Sequence, residues 1–198
     1  LPSGVTALVV GLQPLIAALV AGTLLGESVR PRQWAGLALG FTGVALVVAG
    51  KIASVPVHAL LAMLVPAVVA LAGITAGTLY QKRFCPSFDL RTGSVIQYLP
   101  CLVATGALAL ATETMQVRWS GEFLFALGWL VLVLSVGAVS LLNLLIRRGG
   151  AVHVASLFYL VPAVTALMAF FLFDERLGLG AFAGMAAVLV GVAMATRP

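Results

Sequence analysis

The chain has 198 residues, of which 62% are hydrophobic and only 9% charged, with a formal net charge of +5. Soluble domains carry about a quarter charged residues, so this composition excludes one and indicates an integral membrane protein. The positive charge then reads as orientation charge between membrane helices, and no nucleic-acid partner is expected.

Apolar runs between polar breaks predict seven membrane helices, at about 2–26, 33–50, 57–81, 91–112, 122–146, 151–173 and 179–196. A β-barrel is excluded, because barrel strands alternate and the run from Leu60 to Ala72 does not. The first helix carries Gln13-Pro14 near its middle and Glu27 at its end, before the Arg30-Pro31-Arg32 break. The second carries Gly36, Gly40 and Gly43, and the third carries Pro66 and closes on Tyr80-Gln81 before Lys82-Arg83. Gln97, Tyr98 and Pro100 lie in the fourth helix, and Ser140 and Asn143 share a face of the fifth. The sixth holds Tyr159 and Pro162 and ends at Asp174-Glu175-Arg176. The seventh has Ala183, Ala187, Gly191 and Ala195 at every fourth position. Such small-residue stripes bring backbones close, either between helices of one monomer or across a homodimer interface. Cys85 falls in a loop and Cys101 in a helix, so no structural disulfide is expected.

At an offset of 148 residues the first helix recurs in the sixth. Pro14 meets Pro162, Glu27 meets Glu175, Gly36 meets Gly184 and Gly43 meets Gly191, without a gap. The two copies are five helices apart. An odd separation reverses direction through the membrane, so this is an inverted repeat, the usual signature of a secondary transporter. Residues 51–198 make one whole repeat and residues 1–50 the end of the other, so about 98 residues holding three helices are expected upstream. Eight Lys and Arg gather on one face against three on the other, which places the C-terminus in the cytoplasm.

A mid-helix Pro, a Gly-Glu at the helix end and a Gly-spaced following helix make a pattern present in residues 1–50 and again around Pro162, Glu175, Gly184 and Gly191. In it the chain resembles the EamA-type transporters of the drug/metabolite transporter superfamily over essentially its whole length. Asp174 departs from the pattern by replacing the Gly before the second Glu. The resemblance implies an all-α integral membrane fold of ten helices in a 5+5 inverted repeat, seven of them present here. On that reading 1–50 holds the last two helices of the first repeat and 51–198 the complete second repeat. It also implies a central cavity and export or exchange of a small metabolite, amino-acid-like or related, across the inner or plasma membrane.

Read for chemistry, Pro14 and Pro162 should kink their helices and leave the carbonyls of Val10 and Phe158 without helical partners. Such groups need protein or a watered cavity. A substrate cavity is therefore expected around Gln13, Pro14, Gln97, Tyr98, Tyr159 and Pro162, with packing and interhelical hydrogen bonding as the competing roles. Glu27 and Glu175 end corresponding helices on opposite faces, where each would serve as a gate or as an ion-pair or loop hydrogen-bond partner. All six carboxylates fall at helix ends or in loops, which suggests facilitated diffusion or exchange, or else coupling through the helices expected upstream. His58 and His153 are the only histidines, are expected on opposite faces and have no acid nearby in sequence; no HExxH, GxSxG or Asp-rich cluster occurs. No enzyme activity, catalytic residue, metal or cofactor is expected. The expected partners are a small-molecule substrate and the lipid bilayer, and the expected mechanism is alternating access. The competing class is a membrane scaffold or lipid-binding protein without transport activity.

Overall fold

The computed structural model describes residues 3–53, 57–85, 89–114, 116–173 and 177–197. Among these residues every regular element is helical. Seven helices are long and apolar enough to cross a membrane: Ala7–Leu25, Pro31–Ala49, Leu64–Phe84, Thr92–Thr112, Gly121–Arg148, Ala151–Leu172 and Leu179–Thr196. The protein is thus an all-α integral membrane protein.

Three of the seven spans are not uniform α-helix. The first is two helices, α1 (Ser3–Val10) and α2 (Gln13–Leu25), joined by a turn at Gly11 and Leu12. Pro14 does not sit inside a continuous helix, as the sequence suggested. It occupies the first turn of α2, where an absent N–H breaks no bond and the fixed φ favours helix. In the joint, the Gly11 N–H donates to the Ala7 carbonyl at 2.9 Å and the Leu12 N–H to Val9 at 3.0 Å, a tightened last turn. Intact helices follow: α3 (Pro31–Ala53), α4 (Val57–Phe84) and α5 (Leu90–Thr112). Pro66 lies inside α4 and Pro100 inside α5.

The fifth span is α6 (Gly121–Trp129), a π-helical stretch over Leu130–Ala138, and α7 (Val139–Arg148). The sixth is α8 (Ala151–Ser156), a 3₁₀ turn over Leu157–Tyr159, and α9 (Leu160–Phe173), with Pro162 in the first turn of α9. At the 148-residue offset, Gly11 and Leu12 correspond to Tyr159 and Leu160. The two breaks therefore overlap at the position of Gly11 and Tyr159, each just ahead of its proline. The last element is α10 (Leu179–Thr196).

The chain divides into two compact units: residues 1–84 with 149–198, and residues 85–148. The first unit is built on the pair α3 and α10. A Cβ at Gly36 would lie 2.6 Å from the Gly191 carbonyl oxygen, and one at Gly43 would lie 2.6 Å from that of Gly184. As α3 advances from Gly36 to Gly43, its neighbour retreats from Gly191 to Gly184, so the two helices run antiparallel. The Gln33 amide adds to this by donating from Nε2 to the Ala195 carbonyl at 3.2 Å, while its Oε1 accepts the Arg30 N–H at 3.0 Å. Backbones this close leave room only for hydrogen, and close approach is the main source of attraction where lipid removes the hydrophobic drive.

The packing face of α10 is Gly184, Val188, Gly191 and Ala195, while Ala183 is exposed. The stripe at every fourth residue was thus off by one residue at its first two positions, where Gly184 and Val188 replace Ala183 and Ala187. With 3.6 residues per turn, a strict four-residue repeat drifts off one face, and alternating steps of four and three stay on it.

Candidate functional site

The Gly-Glu that ends α2 has a definite local logic. Gly26 adopts φ 68°, a left-handed conformation costly for residues with a Cβ. The N–H groups of both Gly26 and Glu27 turn back to the Ala21 carbonyl, closing the helix. This termination delivers the Glu27 carboxylate to the start of α8, where the Ala151 N–H donates to Oε1 at 3.2 Å and Oε2 at 3.0 Å. A carboxylate at the N-terminus of a helix satisfies an otherwise orphaned donor and lies favourably toward the helix dipole. Two residues earlier, Lys82 at the end of α4 donates from Nζ to the Gly149 carbonyl at 2.5 Å. The loop 149–151 is thereby held by a carboxylate from α2 and an ammonium from α4. Glu27 therefore makes the loop hydrogen bond that the sequence allowed as one of its roles. Glu175 lies outside the described residues.

Each of the breaks in the first and sixth spans carries a buried side chain with unpartnered polar atoms. Gln13 opens α2 and is fully buried with Pro14. Neither amide atom of Gln13 has a hydrogen-bond partner. Tyr159 closes the 3₁₀ turn, and its ring packs on Gly40, where an added Cβ would meet Cδ2 at 2.5 Å. It is fully buried, and its hydroxyl has no partner either. Pro162 is half-buried. An unmade buried hydrogen bond costs about 1–3 kcal/mol, so these orphan atoms call for an explanation beyond packing.

Gln97 and Tyr98 belong to the second unit. Tyr98 donates its hydroxyl to the Ser135 carbonyl at 2.9 Å, within the π-helical stretch. It lines a cavity of about 730 Å³ together with Ser94, Cys101, Thr105, Ser135 and Ser140. Ser94, Tyr98, Cys101 and Thr105 follow one another at steps of four, three and four, so they form one face of α5. Gln97, one residue from Tyr98 and turned about 100° away, is exposed and does not line this cavity. Among the described residues no group of three or more His, Cys, Asp or Glu could hold a metal ion.

Sequence reasoning missed Lys82 as a hydrogen-bond partner, since a Lys at a helix end reads as orientation charge. It also missed the π-helical stretch, whose first five residues, Leu130 to Leu134, are an unbroken apolar run. These features define a polytopic helical membrane protein with two spans interrupted in register. The chain belongs to the EamA-like transporter family, whose model matches residues 1–49 and 58–197. It is similar to "Uncharacterized transporter YvbV" of Bacillus subtilis, at 27% identity over 206 residues covering 98% of this chain and 63% of that protein. It is also similar to "Uncharacterized inner membrane transporter YedA" of Escherichia coli K12, at 25% identity over 196 residues, 98% of this chain and 62% of that one. The chain therefore spans less than two thirds of the length of these relatives. No solved structure matches it.

Proposed function

We propose that this protein is a secondary transporter that moves a small, amino-acid-like or related metabolite across the inner or plasma membrane by alternating access, in export or exchange. The observation that carries the reading is the α3–α10 seam. Under the 148-residue offset Gly36 becomes Gly184 and Gly43 becomes Gly191. The contact of Gly36 with Gly191 thus becomes the contact of Gly184 with Gly43, the same pair with its members exchanged. An exchange of this kind is what a two-fold axis in the membrane plane produces, and it supports two inverted repeats, the first ending near residue 50 and the second running from 51 to 198. The paired breaks at Gly11–Leu12 and Leu157–Tyr159 are the joints about which the repeats rock.

In this reading Gln13 and Tyr159 meet the solute, and Pro14 and Pro162 fix where the joints lie. The unpartnered atoms of Gln13 and Tyr159 support a solute role, because a hydrogen-bonding solute would satisfy them. Glu27 holds one mouth through Ala151, and Glu175 serves the opposite mouth. The C-terminus lies in the cytoplasm, following the Lys and Arg asymmetry. The name of the E. coli relative, an inner membrane transporter, supports the same membrane here.

Counterflow in liposomes tests this. Vesicles preloaded with amino acids, sugars, nucleosides or organic cations are presented with trace label of the same compound. Uptake of one class above its preloaded gradient supports a carrier. Silence across the panel, with protein shown folded by circular dichroism, refutes transport of these solutes.

A further inference from the structure

The cavity of about 730 Å³ between α5 and the π-helical stretch belongs wholly to the second unit, and the proposed cycle does not use it. Its polar groups stand at mid-membrane depth. Cys101 is the midpoint of α5 (Leu90–Thr112), about 16 Å from either end, and Tyr98 and Thr105 lie within about 6 Å of it along the axis. Ser135 is at the middle of the span Gly121–Arg148. Tyr98 is 38% exposed, and Cys101 and Thr105 are exposed as well, so a molecule seated in the cavity can touch them. Two of the hydroxyls have already committed their proton. Tyr98 donates to the Ser135 carbonyl at 2.9 Å, and Thr105 donates to the Cys101 carbonyl. Each oxygen keeps its lone pairs and can now only accept. The wall that carries Ser135 is π-helical over Leu130–Ala138, a rare geometry that gathers at functional sites.

We propose that this cavity binds an uncharged small molecule that brings at least two O–H or N–H donors on a partly apolar body. Donors are required because Tyr98 and Thr105 can only accept, while the half-buried Ser135 and Ser140 add hydroxyls that both donate and accept. No charged side chain is among the described residues that line the cavity, and an ion there would shed water without a counter-charge. The apolar part of the ligand meets Val95, Leu99, Leu102 and Val136. Ligand pockets run to about 300–1,000 Å³, and this volume lies within that range. A lipid acyl chain is the wrong occupant, because at this depth it offers only methylenes to oxygens that need a donor.

The test reads alkylation of Cys101 by N-ethylmaleimide in the full chain carrying Cys85→Ser, held in phosphatidylcholine vesicles. The reagent takes the thiolate, which forms only where water reaches. The reference is Val103→Cys in a chain that also carries Cys101→Ala. Val103 is 66% exposed, lies about 3 Å further along α5 and does not line the cavity. Cys101 should react about tenfold faster than the reference. Phenyl β-D-glucoside, an uncharged probe with four O–H donors, should slow that reaction. Its tetra-O-methyl derivative keeps the acceptors and lacks the donors. It should need about 25-fold higher concentration for equal protection, the worth of two hydrogen bonds. Phenyl β-D-glucuronide, which carries a carboxylate, should protect least. Thr105→Val should weaken protection by the glucoside about fivefold, and Thr105→Ser should keep it. If Cys101 reacts no faster than the reference, lipid or another segment fills the cavity and the proposal falls. Absent protection by the glucoside, equal protection by its methylated form, or unchanged protection in Thr105→Val also overturns it. The comparison of probes on the unaltered cavity decides the matter even if the valine variant fails to fold.

Discussion

Gly36→Ala adds one methyl group to the seam between α3 and α10. In place it would lie 2.6 Å from the Gly191 carbonyl oxygen, 2.7 Å from the Ala195 nitrogen and 2.9 Å from the Met194 Cβ. The first two are backbone atoms that cannot turn aside, so the helices must part by roughly 0.8 Å to restore ordinary contact. Overpacking of this kind costs about 1–3 kcal/mol, and the better helix propensity of Ala returns about 1 kcal/mol at most. A net loss of up to about 2 kcal/mol is expected, and a loss of about 1–3 kcal/mol relative to an unobstructed Gly→Ala change. Gly184→Ala, its counterpart under the offset, should lose a similar amount, since its Cβ would lie 2.7 Å from the Gly43 carbonyl oxygen. The control is Gly73→Ala, where a Cβ would meet nothing within 4 Å. The assay is reversible unfolding in mixed micelles against denaturing detergent, followed by circular dichroism. Gly36→Ala and Gly191→Ala together should cost less than the sum of the singles, because the first methyl has already parted the same contact. If Gly36→Ala proves as stable as Gly73→Ala, the close seam is wrong.

Three further outcomes follow from the polar contacts and the helix end. Glu27→Ala leaves the Ala151 N–H without its acceptor and should lower unfolding stability by about 1 kcal/mol; an unchanged midpoint in the same assay would remove the contact from the account. Gly26→Ala should cost about 1 kcal/mol, because Ala must adopt the left-handed conformation at φ 68°; a neutral result would show that α2 ends otherwise. Tyr159→Phe keeps the ring against Gly40 and deletes an unpartnered hydroxyl, so the fold should gain about 1 kcal/mol while counterflow slows. Loss of stability in that variant would mean that the hydroxyl has a partner within the fold.

The seven spans were legible because each is an apolar run bounded by charge, and the lipid-spanning requirement leaves helices as the only way to bury their backbone. The structure places them within a few residues of the expected limits, apart from the third, whose apolar window runs on to Phe84. What the sequence could not show was where a span changes its kind of helix. Pro14 marks trouble in the first span, yet a proline tells equally of a bend inside a helix or of a new helix starting. The structure shows the second, with a turn at Gly11 and Leu12 ahead of α2. The partner of Glu27 was out of reach for another reason. It is the backbone N–H of Ala151, 124 residues away, and a backbone donor leaves no trace in residue type.

The seam and the breaks impose opposite demands, and their placement reconciles them within the proposed cycle. Four glycines lock α3 against α10 so closely that neither helix can slide without backbone collision. Motion in the first unit must therefore be taken up elsewhere. The first and sixth spans supply the place, because at Gly11–Leu12 and Leu157–Tyr159 the regular α-helical ladder is already interrupted. Bending there costs little further hydrogen bonding. Tyr159 ties the two features together, for it closes one break while its ring rests on Gly40 of the seam. A bend at that break must carry the ring across Gly40, which has no side chain to obstruct it. Gly40→Ala should accordingly slow exchange more than its effect on stability explains, and equal losses in both would leave Gly40 a packing residue alone.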